Sequence, residues 1–392
     1  MSTPAPVADR TTHPWLGDAT GGLADLGVFV PLAAALILVN GLDAGALFVC
    51  AGLLVIGAGV AFRIPFPVQP LKALTAVAIA RELSPDVIHA AGLELAAFLL
   101  VLSIGHVADL VARVFVKPVV RALQLGVGGL LVITAIKLVA DPPEVFSAPP
   151  SPWSVFLALT AFIGVAIAAH RRSYAVALVM FAGGLLATIA GAQPNLAAPT
   201  FTLPSVHLPP ASAFGTAFLL LVVPQLPLTF GNAVVAVNDL AHEYFFGPAG
   251  DRVTPSRVCL SAGIGNSISA VLGGMPMCHG AGGLTAHVRL GARTARMNLW
   301  LGGAFLTLGL FFAAQIPVIL GVLPVSVLAA FLAYAGLRHA WLVSDLRGLP
   351  LAIAVVSGAL GAWYGNLAIT AALALMLEHG RRVVSRRVRN AS

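Results

Sequence analysis

The chain has 392 residues, of which 59% are hydrophobic and only 9% are charged, and its formal net charge is +7. Soluble globular domains carry roughly 25% charged residues, so a chain with so little charge needs lipid as the solvent for most of its surface. The three cysteines, Cys50, Cys259 and Cys278, have no spacing typical of a disulfide framework or a zinc site. We therefore expect no metal and no other cofactor.

The first 14 residues are polar and proline-rich, without the charged segment and short apolar segment of a cleaved secretion signal. We expect residues 1–14 to form a cytoplasmic tail. The long apolar runs that follow lack the period-two alternation of a membrane β-barrel. Such runs favour helices, because lipid requires each backbone polar group to be satisfied within its own segment. The predicted fold class is an all-α polytopic membrane protein.

A bilayer is spanned by about 20 apolar residues, and the apolar runs divide into fourteen predicted helices. In chain order these helices span 15–40, 44–62, 67–82, 85–112, 117–139, 152–169, 173–191, 212–240, 255–272, 279–292, 295–318, 322–340, 347–362 and 365–380. With both termini cytoplasmic, 19 of the 22 Lys and Arg residues fall in cytoplasmic segments, as the positive-inside rule requires. Arg81 and Lys137 fall outside, and Lys72 falls within a span. The basic cytoplasmic tail at 381–392 is then an orientation signal, and no nucleic-acid partner is expected.

The longest polar interruption is 192–211, which is proline-rich and has no Lys or Arg. We expect it to be an extracytoplasmic linker. It separates a first seven-helix repeat at 15–191 from a second at 212–380. An odd number of helices in each repeat inverts the second one in the membrane, which is an arrangement found in many secondary transporters.

Two broken segments occupy corresponding positions, each as the third helix of its repeat. They are RIPFPVQPLKALTAVAIA at 63–80 and GGMPMCHGAGGLTAHVRLGAR at 273–293. Prolines favour an extended stretch before each helix, and the glycines of the second segment permit close backbone approach. Each helix would then begin partway through the membrane and direct its free N–H groups at a central cavity, which suits an anion. The alternative is that proline and glycine only kink two packed helices.

Ionisable residues within spans are costly, and Lys72 and Asp25 are the two that point most directly to a site. Lys72 lies in the first turn of the first half-helix, where the helix dipole disfavours a cation and a bound anion would compensate. Snorkelling or pairing with an acid would explain it equally. Asp25 pairs with Lys72, carries a coupling proton, or does both. For Asp18, seven residues earlier, we expect an interfacial charge.

Four further polar residues are candidates on predicted spans. His279 opens the second half-helix and either donates to an anion or is a packed, hydrogen-bonded histidine. Gln69 and Asn232 are neutral donors near the same place, or structural polar groups. Glu94 on predicted helix 4 is either a proton site or a structural partner.

These segments resemble the molybdate transporter family, a branch of the sulfate-permease-like superfamily. The matching stretches are GDATGGLADLGVFVPLAAAL (17–36), IPFPVQPLKALTAVA (64–78), PQLPLTFGNAVVAV (224–237) and MPMCHGAGGLTAHVRLGAR (275–293). The last is the most specific. Departures from the family pattern are Ala24, Leu71 and Ala233, where Gly, Met and Ser are usual.

The resemblance implies a core domain of predicted helices 1–4 and 8–11 and a gate domain of helices 5–7 and 12–14. It implies a substrate between half-helices 3 and 10, which meet near the midplane, flanked by helices 1 and 8. It also implies a homodimer through the gate domain. Together with the residue patterns, it predicts proton coupling at Asp25 and Glu94. The predicted substrate-binding residues are Lys72, Gln69, Pro70, Asp25, Asn232, Cys278, His279, Gly280, Ala281 and Gly282.

The function predicted is proton-coupled import of molybdate, a tetrahedral oxyanion, by alternating access across the inner membrane, with the lipid bilayer and the oxyanion as partners. A sulfate permease and a proton-coupled nucleobase transporter of the same fold are the alternatives. Nucleobase sites of this architecture use acids on helices 8 and 10, whereas predicted helix 8 has none before Asp239. An enzyme is disfavoured because Cys278 and His279 are adjacent and lack a positioned catalytic partner. A passive channel would not accumulate substrate.

Overall fold

The computed structural model describes residues 14–105, 107–108, 116–141, 159, 163, 197–322 and 325–391. Predicted helices 6 and 7 lie outside the described residues, apart from positions 159 and 163, which are helical. The described chain is helical except for loops and one pair of two-residue strands. The prediction of an all-α polytopic membrane protein is confirmed by this architecture.

The elements before the linker are α1 (Pro14–Leu38), α2 (Ala44–Phe62), β1 (Gln69–Pro70), α3 (Lys72–Ala80), α4 (Pro85–Leu102) and α5 (Lys117–Ala140). After it come α6 (Ala211–Tyr244), α7 (Pro255–Val271), β2 (Met277–Cys278), α8 (Ala281–Arg289), α9 (Arg296–Phe311), α10 (Gln315–Val322), α11 (Val325–Ala340), α12 (Gly348–Trp363) and α13 (Leu367–Ala391). Four helices of the described chain, α2, α4, α5 and α6, are individually long and apolar enough to cross a bilayer.

Several helix boundaries differ from the predicted ones for reasons of backbone chemistry. Predicted helix 3 (67–82) begins at Lys72, because the prolines before it keep the chain extended. Predicted helix 11 (295–318) is two helices, α9 and α10. Pro317 would clash with the carbonyl four residues earlier in a continuous helix, which explains the break. The final helix α13 continues to Ala391, so the described part of the basic tail is helical.

The helix α6 is irregular where it approaches the centre of the molecule. It contains two π-helical stretches, Phe218–Val222 and Thr229–Val235, on either side of Pro224 and Pro227. Proline cannot donate to the carbonyl of the preceding turn, and single-turn π stretches are a common way for a helix to absorb such defects. This distortion brings Gln225 towards the start of α3.

Helix packing relies on close backbone approach and leaves large apolar side chains on the outside. An added Cβ on Gly52 of α2 would come within 2.7 Å of the Gly302 carbonyl oxygen of α9, so only glycine permits this spacing. Trp300, Trp341 and Trp363 are 68%, 72% and 82% exposed. Exposed tryptophans of this kind are typical of a surface that faces the lipid and its interfaces.

The described helices form two groups that are distinguished by which helices pack against each other. In the first, α2 packs against α9, α4 packs against α7, and α1 contacts α3, α8, α9 and β1. In the second, α5 packs against α11, α12 and α13. The short helices α3 and α8 lie inside, with α1 alongside both, so the interior of the first group is where the broken segments meet.

Candidate functional site

The two broken segments meet as a short antiparallel β pair at the centre of the fold. Gln69 lies opposite Cys278 and Pro70 lies opposite Met277. The backbone N–H of Leu71 also donates to the carbonyl of Pro276 (3.1 Å). The helices α3 and α8 therefore start on either side of one shared strand pair, in the arrangement that the proline spacing predicts.

Two buried asparagines hold the extended residues in place. Asn298 of α9 accepts from the backbone N–H of Phe66 (2.9 Å) and donates to the carbonyls of Phe66 (2.7 Å) and Val55 (3.1 Å). Asn266 of α7 accepts from the N–H of Met277 (2.7 Å) and donates to its carbonyl (2.9 Å). Both side chains are 0% exposed. These carboxamides replace the backbone partners that a continuous helix would have supplied.

The Lys72 ammonium is connected to Asp25 through Gln69. Lys72 Nζ donates to Gln69 Oε1 (2.8 Å), and Gln69 Nε2 donates to Asp25 Oδ1 (2.6 Å). The backbone N–H of Val68 lies 3.4 Å from Asp25 Oδ2. Lys72 is half-buried and Asp25 is buried. Asp25 and Lys72 are therefore linked through the neutral amide of Gln69 and do not form a direct ion pair.

His287 of α8 completes this network and was missed by the sequence reasoning. Its Nε2 lies 3.0 Å from Asp25 Oδ2, and its Nδ1 lies 2.7 Å from the carbonyl oxygen of Gly21 on α1. It is fully buried. The available signal was an ionisable side chain inside predicted helix 10, the same signal that singled out Lys72.

Gln225 was also missed, and it caps the first half-helix. Its Oε1 accepts from the backbone N–H groups of Ala73 and Leu74, both at 3.1 Å, while its Nε2 donates to Thr229 (3.1 Å). The available signal was a polar side chain between the two prolines of a predicted span. Two of the N–H groups expected to face an anion are therefore already bonded to the protein.

At α8, by contrast, the first N–H groups are open. Gly280 is the N-terminal cap residue, and its carbonyl accepts from Gly283 and, at longer range, from Leu284. Within the described residues, the N–H groups of Ala281 and Gly282 have no hydrogen-bond acceptor. Gly282 is exposed to open space, while Cys278 and Ala281 are buried. This turn has the free donors that an anion requires.

His279 is bonded to the protein on both ring nitrogens. Nδ1 donates to the carbonyl of Pro67 (3.0 Å), and Nε2 lies 3.0 Å from Ser261 Oγ. Its ring packs against Phe66 with ring centroids 4.9 Å apart. This geometry matches the packed, hydrogen-bonded alternative and joins the two broken segments.

The remaining candidates lie on neighbouring elements. Asn232 falls in the second π-helical stretch of α6. Glu94 on α4 has one buried carboxylate oxygen, Oε2, without a hydrogen-bond partner among the described residues. For Asp18 we expected an interfacial charge, and the structure shows its carboxylate buried and hydrogen-bonded. Asp18 is 1% exposed and accepts from the backbone N–H groups of Arg293 (2.8 Å) and Thr294 (2.9 Å) and from the Thr294 hydroxyl.

Known proteins are similar to this chain both in sequence and in fold. The sequence profile of a family described as "Molybdate transporter of MFS superfamily" matches residues 17–131 and 217–338. Molybdate transporter 2 of Arabidopsis thaliana is 30% identical over 379 residues, covering 86% of this chain and 81% of the relative. Molybdate transporter 1 of the same plant is 30% identical over 373 residues, covering 85% and 80%.

Among solved structures, the transmembrane domain of the cyanobacterial bicarbonate transporter BicA superposes with a TM-score of 0.65 at 17% identity. The match covers 94% of this chain and 98% of that domain. At this identity the likeness concerns the fold alone. It supports the all-helical architecture described above.

Proposed function

The chain belongs to the molybdate transporter family, and from that membership we propose that it is a secondary transporter that imports molybdate across the cytoplasmic membrane. Its relatives are named as transporters, which supports transport rather than catalysis. Transport of an anion is the coarser part of the proposal, and both the family and the fold support it. Molybdate as the substrate, proton coupling and alternating access are the finer parts of the proposal.

The observation that carries the proposal is the position of Lys72. Its ammonium has three N–H groups, and Gln69 is its partner among the described residues, which leaves two for a ligand. The dipole of α3 disfavours a cation in its first turn by about 0.3–1 kcal/mol. One unit charge about 4 Å away, at an effective dielectric near 20, would contribute roughly 4 kcal/mol of attraction before desolvation. The attraction between Lys72 and a bound dianion is therefore larger than the unfavourable interaction between Lys72 and the dipole of α3.

We assign the second set of donors to the start of α8. Gln225 already bonds the N–H groups of Ala73 and Leu74, so the open N–H groups of Ala281 and Gly282 are the better anion donors. In this proposal the oxyanion lies between Lys72 and that turn, with the β pair as its floor. We assign Gln69, Pro70, Cys278, His279 and Gly280 to the lining of the site, and Asn232 of α6 remains a further candidate.

Proton coupling follows from the charge of the cargo. A dianion entering a cell with a negative interior works against about 2.3 kcal/mol per charge per 100 mV, or roughly 4.6 kcal/mol for two charges. Import to useful levels therefore needs a coupling ion. Asp25 is our candidate for its carrier, because it is buried and connected to Lys72 through Gln69. Glu94 is the second candidate.

The wider architecture of the proposal rests on the family fold. We assign α1–α4 and α6–α10 to the core domain, and α5 and α11–α13 to the gate domain, which moves relative to the core in alternating access. Both termini are assigned to the cytoplasm from the distribution of Lys and Arg. A homodimer through the gate domain completes the proposal.

The experiment is uptake in cells that carry the protein and lack their own molybdate importer. Cells are expected to accumulate molybdate from trace concentrations, and a large excess of sulfate is expected to compete poorly. Equal competition by sulfate would make the protein a sulfate permease, since Lys72 and the α8 donors suit any tetrahedral dianion. Uptake that saturates but never exceeds the outside concentration would indicate a passive pathway.

A further inference from the structure

We propose that the coupling proton is held jointly by Asp25 and His287, in the hydrogen bond between Asp25 Oδ2 and His287 Nε2, and that Gln69 links this proton to the substrate at Lys72. This inference rests on the proposed function, and it adds a residue and a position for the proton. It follows from counting donors and acceptors along one chain of hydrogen bonds.

The orientation of Gln69 is fixed from the Lys72 side. An ammonium can only donate, so the atom of Gln69 that lies 2.8 Å from Lys72 Nζ is the carbonyl oxygen Oε1. The amide nitrogen Nε2 then faces Asp25 Oδ1 at 2.6 Å and donates to it. Asp25 Oδ1 must therefore accept. Any proton carried by the Asp25 carboxyl group lies on Oδ2, the oxygen that faces His287.

The tautomer of His287 is fixed from the opposite side. The carbonyl oxygen of Gly21 can only accept, so His287 Nδ1, 2.7 Å away, carries a hydrogen. A neutral imidazole with its hydrogen on Nδ1 has a lone pair on Nε2. That lone pair lies 3.0 Å from Asp25 Oδ2, so the contact is a hydrogen bond only when one further proton is present.

The pair thus has two equivalent descriptions with the same proton count. Either Asp25 is a carboxylic acid that donates to neutral His287, or Asp25 is a carboxylate that accepts from an imidazolium. Removing the proton leaves a carboxylate oxygen against a lone pair, with both side chains buried. The proton belongs to the pair and not to either residue. It arrives from water on one side of the membrane and returns to water on the other.

The surroundings contain few other titratable groups within the described residues. The neutral thiol of Cys278 on β2 lies near both Asp25 and Lys72, and His339 of α11 lies near Lys72. Asp18 on α1 is occupied by the backbone of Arg293 and Thr294. Among the described residues, Asp25 is the charged side chain that interacts with His287. Proton loading is therefore governed by the pair and by Lys72 through Gln69.

This chain explains how substrate and proton communicate. An oxyanion that draws the Lys72 ammonium towards itself weakens the bond that orients Gln69. The Gln69 amide is then less firmly held against Asp25 Oδ1, and the free energy of protonating the pair changes. By linkage, loading of the proton changes the affinity for the anion by the same factor.

The test uses purified protein in proteoliposomes and two assays. The first is molybdate exchange at equal pH on both sides, and the second is molybdate accumulation driven by acid outside. His287→Gln supplies a permanent N–H donor to Asp25 and mimics the loaded pair. We expect it to keep exchange within a few-fold of wild type, to lose at least about tenfold in accumulation, and to flatten the pH profile of uptake. Asp25→Asn should also lose accumulation and flatten the pH profile of uptake, and the double variant should accumulate no less molybdate than either single variant, because both substitutions remove one shared proton.

His379→Gln is the matched control. His379 also bonds a backbone carbonyl through Nδ1, that of Leu375 at 3.0 Å, but it is exposed. It should leave both assays unchanged. If His287→Gln accumulates molybdate with the wild-type pH profile, the inference is overturned while the proposed function stands. If the wild type neither exchanges nor accumulates molybdate, the proposed function itself fails.

A second measurement covers the case in which His287→Gln does not purify as one homogeneous species. Nitrogen-15 spectra of histidine-labelled protein are compared between wild type and Asp25→Asn. One buried imidazole is expected to change its protonation or tautomer signature in the variant. Identical histidine spectra would overturn the inference.

Discussion

Gln69 and Cys278 face each other across the antiparallel strand pair in which the two broken segments meet. The side chain of Gln69 also bonds both Lys72 and Asp25, so one residue joins the two broken segments through its backbone and the cation to the carboxylate through its side chain. A displacement of either broken segment is therefore expected to alter the anion site and the proton site together.

Lys72→Gln is expected to remove most molybdate binding and to leave the protein folded. A neutral side chain is cheaper to bury than an ammonium, whereas the dianion loses the cation that we place in the proposed site. We expect the dissociation constant to rise by at least about thirtyfold, which corresponds to about 2 kcal/mol. Lys72→Arg should also bind poorly, because the planar guanidinium is larger than the ammonium and differently shaped. Equilibrium binding to detergent-purified protein is the measurement.

The control for this substitution is Lys137→Gln, at an exposed position near the end of α5. It removes the same charge and should bind molybdate as the wild type does. Wild-type affinity in Lys72→Gln would instead mean that the lysine has a structural role. The backbone N–H groups would then be the whole anion site.

Gly283→Ala is expected to displace the side chain of Gln69 and so to weaken molybdate binding. A Cβ at this position would lie 2.6 Å from Pro67 Cβ, 2.7 Å from Gln69 Nε2 and 3.1 Å from Asp25 Oδ1. The proline ring cannot rotate away, so the amide has to move and its bond to Asp25 is lost. Overpacking of this kind costs about 1–3 kcal/mol, and we expect molybdate affinity to fall by about tenfold.

Gly303→Ala on α9 is the matched control, because a Cβ there meets nothing within 4 Å. Molybdate titrations of the two variants, together with their melting temperatures, make the comparison. An alanine that is tolerated equally at both positions would mean that the close packing around Gln69 is not needed for binding.

Asn298→Ala is expected to lower the stability of the folded protein. The substitution leaves the N–H of Phe66 and the carbonyls of Phe66 and Val55 without their side-chain partner in a dry interior. Each orphaned buried group costs about 1–3 kcal/mol, so the loss should be at least about 2 kcal/mol. Asn238→Ala, which removes a partly exposed amide from α6, should change stability little. Unfolding midpoints in detergent decide this, and equal midpoints for the two variants would contradict the role given to Asn298.

Asp345, in the segment between α11 and α12, should make the stability of the folded protein depend on pH. Arg121 holds the carboxylate with two bonds (2.9 and 2.6 Å) and Lys117 adds a third (2.9 Å), and these partners lower the pKa of Asp345 from 3.8 to about 2. A lowered folded-state pKa means that the stabilisation is present above the unfolded pKa of about 3.9 and is lost as the pH falls towards 2. The side chain is 39% exposed, so the effect should stay below about 1 kcal/mol.

Asp345→Asn should therefore have a lower melting temperature than wild type at pH 7 and pH 5, and the difference should shrink by about half at pH 3 and vanish as the pH falls towards 2. Asp251→Asn, at a more exposed position with only a distant histidine partner, is the control. A difference between Asp345→Asn and wild type that persists unchanged at pH 3 would exclude the ion pair as its cause.

The sequence was sufficient for the parts of the fold that depend on local chemistry. Proline spacing predicted that an extended stretch precedes α3 and α8, because proline restricts its own neighbours. Lys72 and Asp25 stood out because charges within apolar spans are rare. The strand pair itself was not predictable, since two residues on each side are too few for a strand pattern and their pairing depends on tertiary structure.

The partners of each polar residue also required the structure. Gln225 and His287 reach Ala73 and Asp25 from helices that are distant in the chain, and no spacing rule relates such positions. Asp18 was assigned to the interface because it lies near the start of α1, yet the loop after α8 folds over it and supplies its donors. Direct pairing of Lys72 with Asp25 was one of the possibilities that the sequence left open, and in the structure Gln69 links the two side chains.

The most direct test of the account is calorimetric titration of the purified wild-type protein with molybdate, alone and in a large excess of sulfate. The account predicts saturable molybdate binding at one site per chain that sulfate displaces poorly. Absence of molybdate binding by a homogeneous, folded preparation would contradict it, and so would displacement by sulfate at equal concentrations.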